Sequence, residues 1–179
     1  MNTTTHAALI QQIKDAALLE GDFTLRSGKK SRYYLDKYLF ETDPSILKQV
    51  GHLLAERVAR FDNVTRVAGA ELGGIPLVVA VSLQLGLPSL LIRNQKKDYG
   101  TAKQFEGRLN PGDRIVLLED VATTGGQALE AAKLLRDDCQ AEVLGVVAIL
   151  DREEGARENM TEAGFHFEAL FQRADMGMD

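Results

Sequence analysis

The chain has 179 residues, of which 45% are hydrophobic and 26% are charged, and its formal net charge is -5 at pH 7. This length and composition are those of one medium-sized globular domain with a substantial core. The acidic balance argues against wholesale nucleic-acid binding, which favours a basic surface, and no apolar run approaches the roughly 20 residues of a membrane span.

The start of the chain and its cysteine usage predict a cytoplasmic protein. The opening residues, MNTTTHAALIQQIKD, lack the basic and then apolar regions of a signal peptide. Cys139 is the only cysteine, so no internal disulfide is possible, and we expect its role to be structural or incidental. The three histidines, at positions 6, 52 and 166, show no metal-ligand spacing and receive no role.

The first third of the chain predicts a helix, a hairpin and a second helix. Residues 6–20 carry apolar side chains at helical spacing, among them Leu9 and Ile13. The stretch GDFTLRSGKKSRYYLD reads as a strand, a Ser-Gly turn and a second strand. Asp43 is then a plausible N-cap, and Pro44 occupies the first helical position.

From residue 64 onward the predicted elements alternate. Strands are predicted at 64–70, 88–93, 113–120, 142–151 and 166–172, with helices at 73–86 and 124–138. Strands separated by helices predict an α/β fold with an open, mainly parallel twisted sheet flanked by helices. The chain shows no internal repeat or convincing linker, so we expect residues 1–179 to form a single domain.

The segment IVLLEDVATTGGQALEAAKLL (115–135) runs from an apolar strand into an alanine-rich helix. Thr123 to Gly126 lie where the helix leaves its first N–H groups unpaired, which favours an anion such as a phosphate. Glu119 and Asp120 can accept hydrogen bonds from sugar hydroxyls or face a cation, directly or through water. Neither a Walker A sequence nor GxGxxG occurs, and a sugar phosphate fits both ends of this loop.

Residues 115–126 combine hydrophobic residues, an acidic pair and then Thr-Thr-Gly-Gly. This pattern resembles the motif by which type I phosphoribosyltransferases bind phosphoribosyl pyrophosphate (PRPP). Three further stretches, FTLRSGKKSRYYLD, IRNQKKDYGTAKQFEG and LDREEG, resemble the orotate phosphoribosyltransferase family within that group. The resemblance spans most of the chain. It implies the type I phosphoribosyltransferase fold, with a small hood built by the N-terminal hairpin and the C-terminal strand (residues 1–40 and 160–179).

The same resemblance implies an activity: ribose 5-phosphate is transferred from PRPP to orotate, with Mg²⁺ as cofactor, in UMP biosynthesis. Glu119 and Asp120 would hold the ribose hydroxyls, and Asp120 is a candidate for acid–base assistance. The PRPP-binding residues that the resemblance implies are Arg26, Leu72, Gly73, Arg93, Asn94, Lys97, Tyr99, Glu119, Asp120, Val121, Ala122, Thr123, Thr124, Gly125, Gly126 and Gln127.

A basic, glycine-containing stretch follows the fourth predicted strand. Its cations are Arg93, Lys96, Lys97, Lys103 and Arg108. Cations that close over a phosphate site stabilise charge on a departing pyrophosphate, whereas the alternative is a solvated surface loop. The resemblance implies that residues 93–109 form a lid over the site of the neighbouring subunit in a homodimer, with Lys97 catalytic. Asn94 stands where many relatives have lysine, and Tyr99 where many have histidine.

The stretch AGAELGGIP (68–76) follows a predicted strand and contains adjacent glycines. A tight strand-to-helix turn would explain it without a ligand. The resemblance implies instead that the backbone of Leu72 and Gly73 binds pyrophosphate, often in an unusual peptide conformation. Bacterial relatives often have Tyr-Lys at these two positions, and Glu71 is a candidate for holding the hydration shell of the metal.

The ends of the chain supply the expected orotate site. By resemblance, Tyr34 and Leu35 flank the pyrimidine, Thr123 also contacts it, and Arg26 stands where a lysine usually reaches PRPP. Arg152 can meet the orotate carboxylate with paired donors; its alternative is an ordinary ion pair with Glu153 or Glu154. Two other functions stay open: a purine phosphoribosyltransferase, and a non-enzymatic regulator that senses PRPP.

Overall fold

A computed structural model describes residues 3–24, 28, 30–95 and 104–178. The helices are α1 (Thr3–Ala17), α2 (Lys37–Glu41), α3 (Pro44–Val58), α4 (Gly74–Leu85), α5 (Gly126–Lys133) and α6 (Ala156–Glu162). A π-helical turn, Leu134–Asp138, continues α5, and a 3-10 turn spans Ala174–Met176. The strands are β1 (Leu18–Thr24), β2 (Lys30–Leu35), β3 (Arg66–Ala70), β4 (Ser89–Ile92), β5 (Phe105–Glu106), β6 (Arg114–Ala122), β7 (Glu142–Asp151) and β8 (Phe167–Gln172).

Six strands form one sheet in the order β5-β4-β3-β6-β7-β8. All neighbouring pairs in it are parallel except β4 with β5, which confirms the predicted α/β fold with a mainly parallel sheet. The chain progresses in one direction from β3 to β4 and in the other from β6 to β8, so the order reverses between β3 and β6. In open α/β sheets, ligands gather at the carboxyl ends of the strands at such a point.

Both faces of the sheet are covered, which is why its central strands read as continuous apolar runs. Alternate residues of β6 enter two separate clusters. Val116 and Leu118 pack with α1, α3 and α4, whereas Ile115 and Leu117 pack with α5 and α6. All four side chains are fully buried.

The start of α3 follows the predicted capping pattern. The Asp43 carboxylate accepts hydrogen bonds from the backbone N–H groups of Ser45, at 2.8 Å, and Ile46, at 3.1 Å. Pro44 occupies the first turn, where its missing N–H costs nothing.

The hairpin β1–β2 forms a separate two-stranded antiparallel sheet, as predicted, but the C-terminal strand does not join it. β8 pairs with β7 at the edge of the main sheet, because this pairing buries Phe167 and Phe171. β8 and the turn after it both approach the N-terminal region: the rings of Phe171 and His6 lie 6.0 Å apart, and Met176 and Met178 share a cluster with α1. A hood that includes residues 160–179 stays a prediction.

No helix within the described ranges is long and apolar enough to cross a membrane.

Candidate active site

The carboxyl ends of β6 and β7 face the hairpin and α2 across a cavity of about 540 Å³. This volume is within the range of small-molecule sites. The cavity is lined by Tyr34, Lys37, Glu119, Asp120, Val121, Ala122, Thr123, Thr124, Gly125, Gly126, Gln127, Ala128, Arg152 and Glu154. The central loop thus meets one aromatic residue and one arginine from distant parts of the chain.

The loop between β6 and α5 has the geometry of an anion site. Gly125 precedes the helix with φ of 70°, a left-handed conformation that favours glycine. A Cβ on Gly125 would also lie 3.2 Å from the Cβ of Ala156. The helix start carries no side-chain cap, so its N–H groups are open to a ligand. From α6, the Asn159 amide donates to the Thr124 carbonyl at 2.9 Å and anchors the loop.

A lysine from α2 balances the acidic pair at the end of β6. Asp120 is 1% exposed, and the Nζ of Lys37 lies 2.5 Å from its Oδ2. The other carboxylate oxygen accepts a hydrogen bond from the backbone N–H of Val121. Burial, the charge of Asp120 and a hydrogen bond with Asp120 raise the pKa of Glu119 to about 8. This upward shift of the Glu119 pKa favours its protonated form and so reduces the repulsion between the two adjacent carboxyl groups.

A third carboxyl group lies behind this pair. Glu41 is 1% exposed, and neither of its carboxyl oxygens has a hydrogen-bond partner within the described part of the chain. Burial and then the charge of Asp120 raise the pKa of Glu41 to about 8, and the charge of Lys37 opposes that rise. Sequence reasoning missed both Lys37 and Glu41, because α2 has only five residues and no periodicity to read.

Gly73, from the loop between β3 and α4, contacts the same carboxylate. A Cβ on Gly73 would lie 1.5 Å from Oδ2 of Asp120. The neighbouring Leu72 is 64% exposed, and the peptide bond between Glu71 and Leu72 is cis, an unusual conformation of the kind expected there. The predicted pyrophosphate loop and the predicted ribose residue are therefore in direct contact.

Three loops are joined by one set of hydrogen bonds. The side-chain amide of Gln127 donates to the Glu71 carbonyl at 2.8 Å and to Oδ1 of Asn94 at 2.6 Å. The backbone N–H of Asn94 donates to Oε1 of Glu71 at 2.8 Å. Asn94, where many relatives have lysine, thus connects the loops that follow β3, β4 and β6.

The described ends of the predicted lid lie at the edge of the sheet. Arg93 is half-buried, with its Nη1 3.7 Å from Oε1 of Glu106, and Arg108 is exposed. The backbone N–H of Arg93 donates to the Gln104 carbonyl at 2.9 Å. Four predicted lid residues, Lys96, Lys97, Tyr99 and Lys103, lie outside the described residues, as does Arg26 of the hairpin.

The orotate end of the cavity contains two of the expected side chains. Tyr34 is 44% exposed, and its ring centroid lies 5.5 Å from that of Phe23. The Nη2 of Arg152 lies 3.1 Å from Oε1 of Glu154, so the ion pair considered as the alternative for Arg152 is present inside the cavity. Leu35 packs against the core beneath the hairpin, which separates it from the side chains that line the cavity.

Within the described ranges, no group of three or more His, Cys, Asp or Glu side chains could hold a metal ion. Mg²⁺ commonly binds through one or two carboxylates together with substrate phosphates.

The sequence of this chain is similar to a known protein family and to individual known proteins. A family described as the phosphoribosyl transferase domain matches residues 40–170. The chain is 48% identical over 160 residues to an orotate phosphoribosyltransferase of Methanosarcina acetivorans, covering 89% of this chain and 84% of that protein. It is 42% identical to that of Natronomonas pharaonis, covering 96% of each.

The fold of this chain is also similar to that of a solved structure. The Mycobacterium tuberculosis orotate phosphoribosyltransferase in complex with PRPP superposes with a TM-score of 0.82 at 28% identity, covering 96% of this chain and 98% of that one. The family match, the identities and the shared fold each cover most of the chain. The chain therefore belongs to the phosphoribosyltransferases and, among them, to the orotate phosphoribosyltransferase family.

Proposed function

We propose that this chain binds PRPP and orotate in the cavity at the end of β6 and joins them to form orotidine 5′-monophosphate, a step of UMP biosynthesis. The bond between C1 of the ribose and the pyrophosphate oxygen breaks as N1 of orotate bonds to C1. The observation that carries the proposal is that the Thr123–Gly126 loop, the acidic pair and Arg152 line one cavity. A phosphate, a ribose and a carboxylate each have a matching partner there.

The central loop would hold the phosphosugar. The open helix start at Thr123 to Gln127 suits the 5′-phosphate, since its N–H groups and dipole favour an anion. Asp120 and Glu119 would hold the ribose hydroxyls, and Asp120 would assist the proton balance at the reacting centre. Catalysis would come mainly from positioning the reactants and from electrostatic stabilisation of an oxocarbenium-like transition state.

The base would bind at the hairpin end of the cavity. Tyr34 offers a ring face to the flat pyrimidine, and the planar guanidinium of Arg152 matches the orotate carboxylate with paired donors. Thr123 lies between the two ends and could contact either substrate. Leu35 would support Tyr34 from beneath, since it packs into the core.

Mg²⁺ would be carried by the pyrophosphate and by water. Asp120 and Glu71 are the acidic residues that suit its hydration shell. When bound, the ion neutralises charge on the leaving pyrophosphate. The protein's own contribution there would be the backbone of Leu72 and Gly73.

The proposal includes a homodimer in which residues 93–109 of one subunit cover the site of the other. Arg93, Asn94, Lys97 and Tyr99 would then contact the pyrophosphate. An apolar stripe on the outer side of α4 supports self-association: Val79 is 46% exposed and Leu83, one helical turn later, is 81% exposed. The proposal places the enzyme in the cytoplasm, which its single cysteine supports.

Orotate absorbance tests the central proposal. We expect a decrease that requires both PRPP and Mg²⁺ and that is lost in Asp120→Asn. No decrease with a folded, dimeric protein that binds PRPP would favour the regulator instead. A purine phosphoribosyltransferase would consume PRPP with a purine base and leave orotate unchanged.

The shared lid has its own test. Lys97→Ala should reduce turnover far more than it weakens orotate binding, whereas Lys48→Ala, on the exposed side of α3, should be neutral. Mixing inactive Lys97→Ala with inactive Asp120→Asn should restore some activity, because hybrid dimers contain one site with both residues. No recovery despite demonstrated subunit exchange would contradict the shared site.

A further inference from the structure

We propose that Lys37 and Gly73 are positioning residues for Asp120: Lys37 holds the carboxylate by an ion pair, and Gly73 leaves the space that the carboxylate occupies. The inference rests on the proposed role of Asp120 at the ribose. It assigns a function to two positions that lie on separate elements of the fold, and for Gly73 it differs from the backbone contact with pyrophosphate.

The ion pair is the first part of the argument. The Nζ of Lys37 is 2.5 Å from Oδ2 of Asp120, and the two side chains are 32% and 2% exposed. An acid this deeply buried gains little from water, so its charge depends on the partner. Removing one member of such a pair leaves an uncompensated buried charge.

The second part is steric. A Cβ on Gly73 would lie 1.5 Å from Oδ2 and 2.7 Å from Cγ of Asp120, far inside any contact distance. The backbone of Gly73 has φ -66° and ψ -30°, which every L-residue adopts readily. In this chain, with the Asp120 carboxylate held by Lys37, glycine at position 73 supplies space and is not needed for backbone freedom.

Together these contacts leave the carboxylate one position. Oδ2 faces Lys37 and the Cα of Gly73, while Oδ1 accepts from the Val121 N–H. A group fixed before substrate arrives avoids reorganisation during the reaction. Lys37 also follows Tyr34 by three residues, so the same ion pair connects the strand that faces the base with the loop that faces the sugar.

Enzyme kinetics test the role of Lys37. Lys37→Met should lower kcat about 100-fold, the effect of misplacing a catalytic group, with KM for orotate unchanged. Lys37→Arg should restore most of the loss, and Lys48→Met is the matched exposed control. If Lys37 acts through Asp120, Lys37→Met should also weaken PRPP binding, measured by calorimetry, in the wild-type background and cause no further loss of that affinity in inactive Asp120→Asn. An equal loss of affinity in both backgrounds, or wild-type kcat in Lys37→Met, would overturn the proposal.

Thermal unfolding tests Gly73 independently of activity. Gly73→Ala should lower Tm in the wild-type background but not in Asp120→Ala, where the carboxylate is absent. An equal decrease in both backgrounds would overturn the steric part of the proposal. The Tm comparison does not depend on activity, so it separates the two proposals. If the wild-type protein leaves orotate unchanged, the proposed function fails. The Tm values still decide whether Gly73 makes room for the Asp120 carboxylate.

Discussion

The guanidinium of Arg152 and the carboxylate of Glu154 face each other at 3.1 Å within the cavity. The backbone N–H of Arg152 donates to the Ala122 carbonyl at 2.9 Å, which fixes the start of the side chain. Its Nε is buried without a hydrogen-bond partner in the described part of the chain. Arg152 therefore pairs with Glu154 through Nη2, while its Nε–H has no acceptor among the described residues.

This arrangement predicts competition between Glu154 and a substrate carboxylate. Glu154→Gln should lower KM for orotate about 3- to 10-fold, the equivalent of one hydrogen bond, with kcat unchanged. Arg152→Ala should raise KM. Steady-state kinetics with varied orotate measure both effects, and Glu153→Gln is the neighbouring control. A higher KM in Glu154→Gln would mean that Glu154 orients Arg152 and does not compete for it.

Glu41 predicts a pH-dependent stability. Its pKa is about 8 in the folded protein and near 4.5 when unfolded, so between these values the folded state holds a proton that the unfolded chain has lost. Stability should consequently fall as pH rises through this window, by at most about 1.4 kcal/mol per pH unit for this group. Glu41→Gln should remove that contribution and stabilise the protein near the upper end of the window.

Urea unfolding at several pH values measures this effect. Glu119 has a similarly raised pKa, so Glu41→Gln should reduce the slope without abolishing it. The exposed Glu162→Gln serves as the control and should leave the slope unchanged. If Glu41→Gln left it unchanged too, Glu41 would be ionised in the folded protein.

Adjacent glycines in the central loop should respond differently to alanine. Gly125→Ala imposes a left-handed conformation on an L-residue and should cost about 1–2 kcal/mol of unfolding free energy. Gly126 has no such conformation, and a Cβ added there would lie 3.7 Å from its nearest neighbour, Oγ1 of Thr124. Gly126→Ala should therefore be neutral or slightly stabilising. If both variants lost the same free energy of unfolding in urea, steric crowding in the loop, and not the backbone φ angle, would determine the cost.

The bridge between Asn94 and Gln127 predicts a non-additive effect. Either Asn94→Ala or Gln127→Ala should raise KM for PRPP about 3- to 10-fold, because each breaks the same hydrogen bond between two loops. The double variant should resemble the single ones. Additive effects would indicate that the hydrogen bond between the two side chains contributes nothing to PRPP affinity.

Much of the fold could be predicted because local signals and burial agree. The apolar runs of β6 and β7, the cap at Asp43 and the two strands of the N-terminal hairpin each correspond to an element at the expected place. The central loop was also predictable, since an acidic pair followed by Thr-Thr-Gly-Gly after a buried strand fits one class of ligand. The roles of these residues in binding stay predictions.

What escaped prediction depends on tertiary contacts. Lys37 follows the hairpin on a helix too short to show periodicity, and only the folded chain brings it to Asp120. The two-residue strand β5 exists because β4 lies beside it. Leu35 is different: adjacent residues of a strand point to opposite faces, so if Tyr34 faces the cavity, Leu35 is directed to the core.

The contact between Arg93 and Gln104 has a consequence for the length of the segment between them. The backbone N–H of Arg93 donates to the Gln104 carbonyl at 2.9 Å, and the Gln104 amide donates back to the Arg93 carbonyl at 3.2 Å. Arg93 and Gln104, which bound the segment 94–103, therefore lie side by side at the edge of the sheet. Doubling the number of residues in a loop adds only about 0.6 kcal/mol to the entropic cost of closing it. An insertion held at both ends in this way therefore costs little stability. We therefore expect a longer or shorter segment between these two residues to leave the strands beneath unchanged.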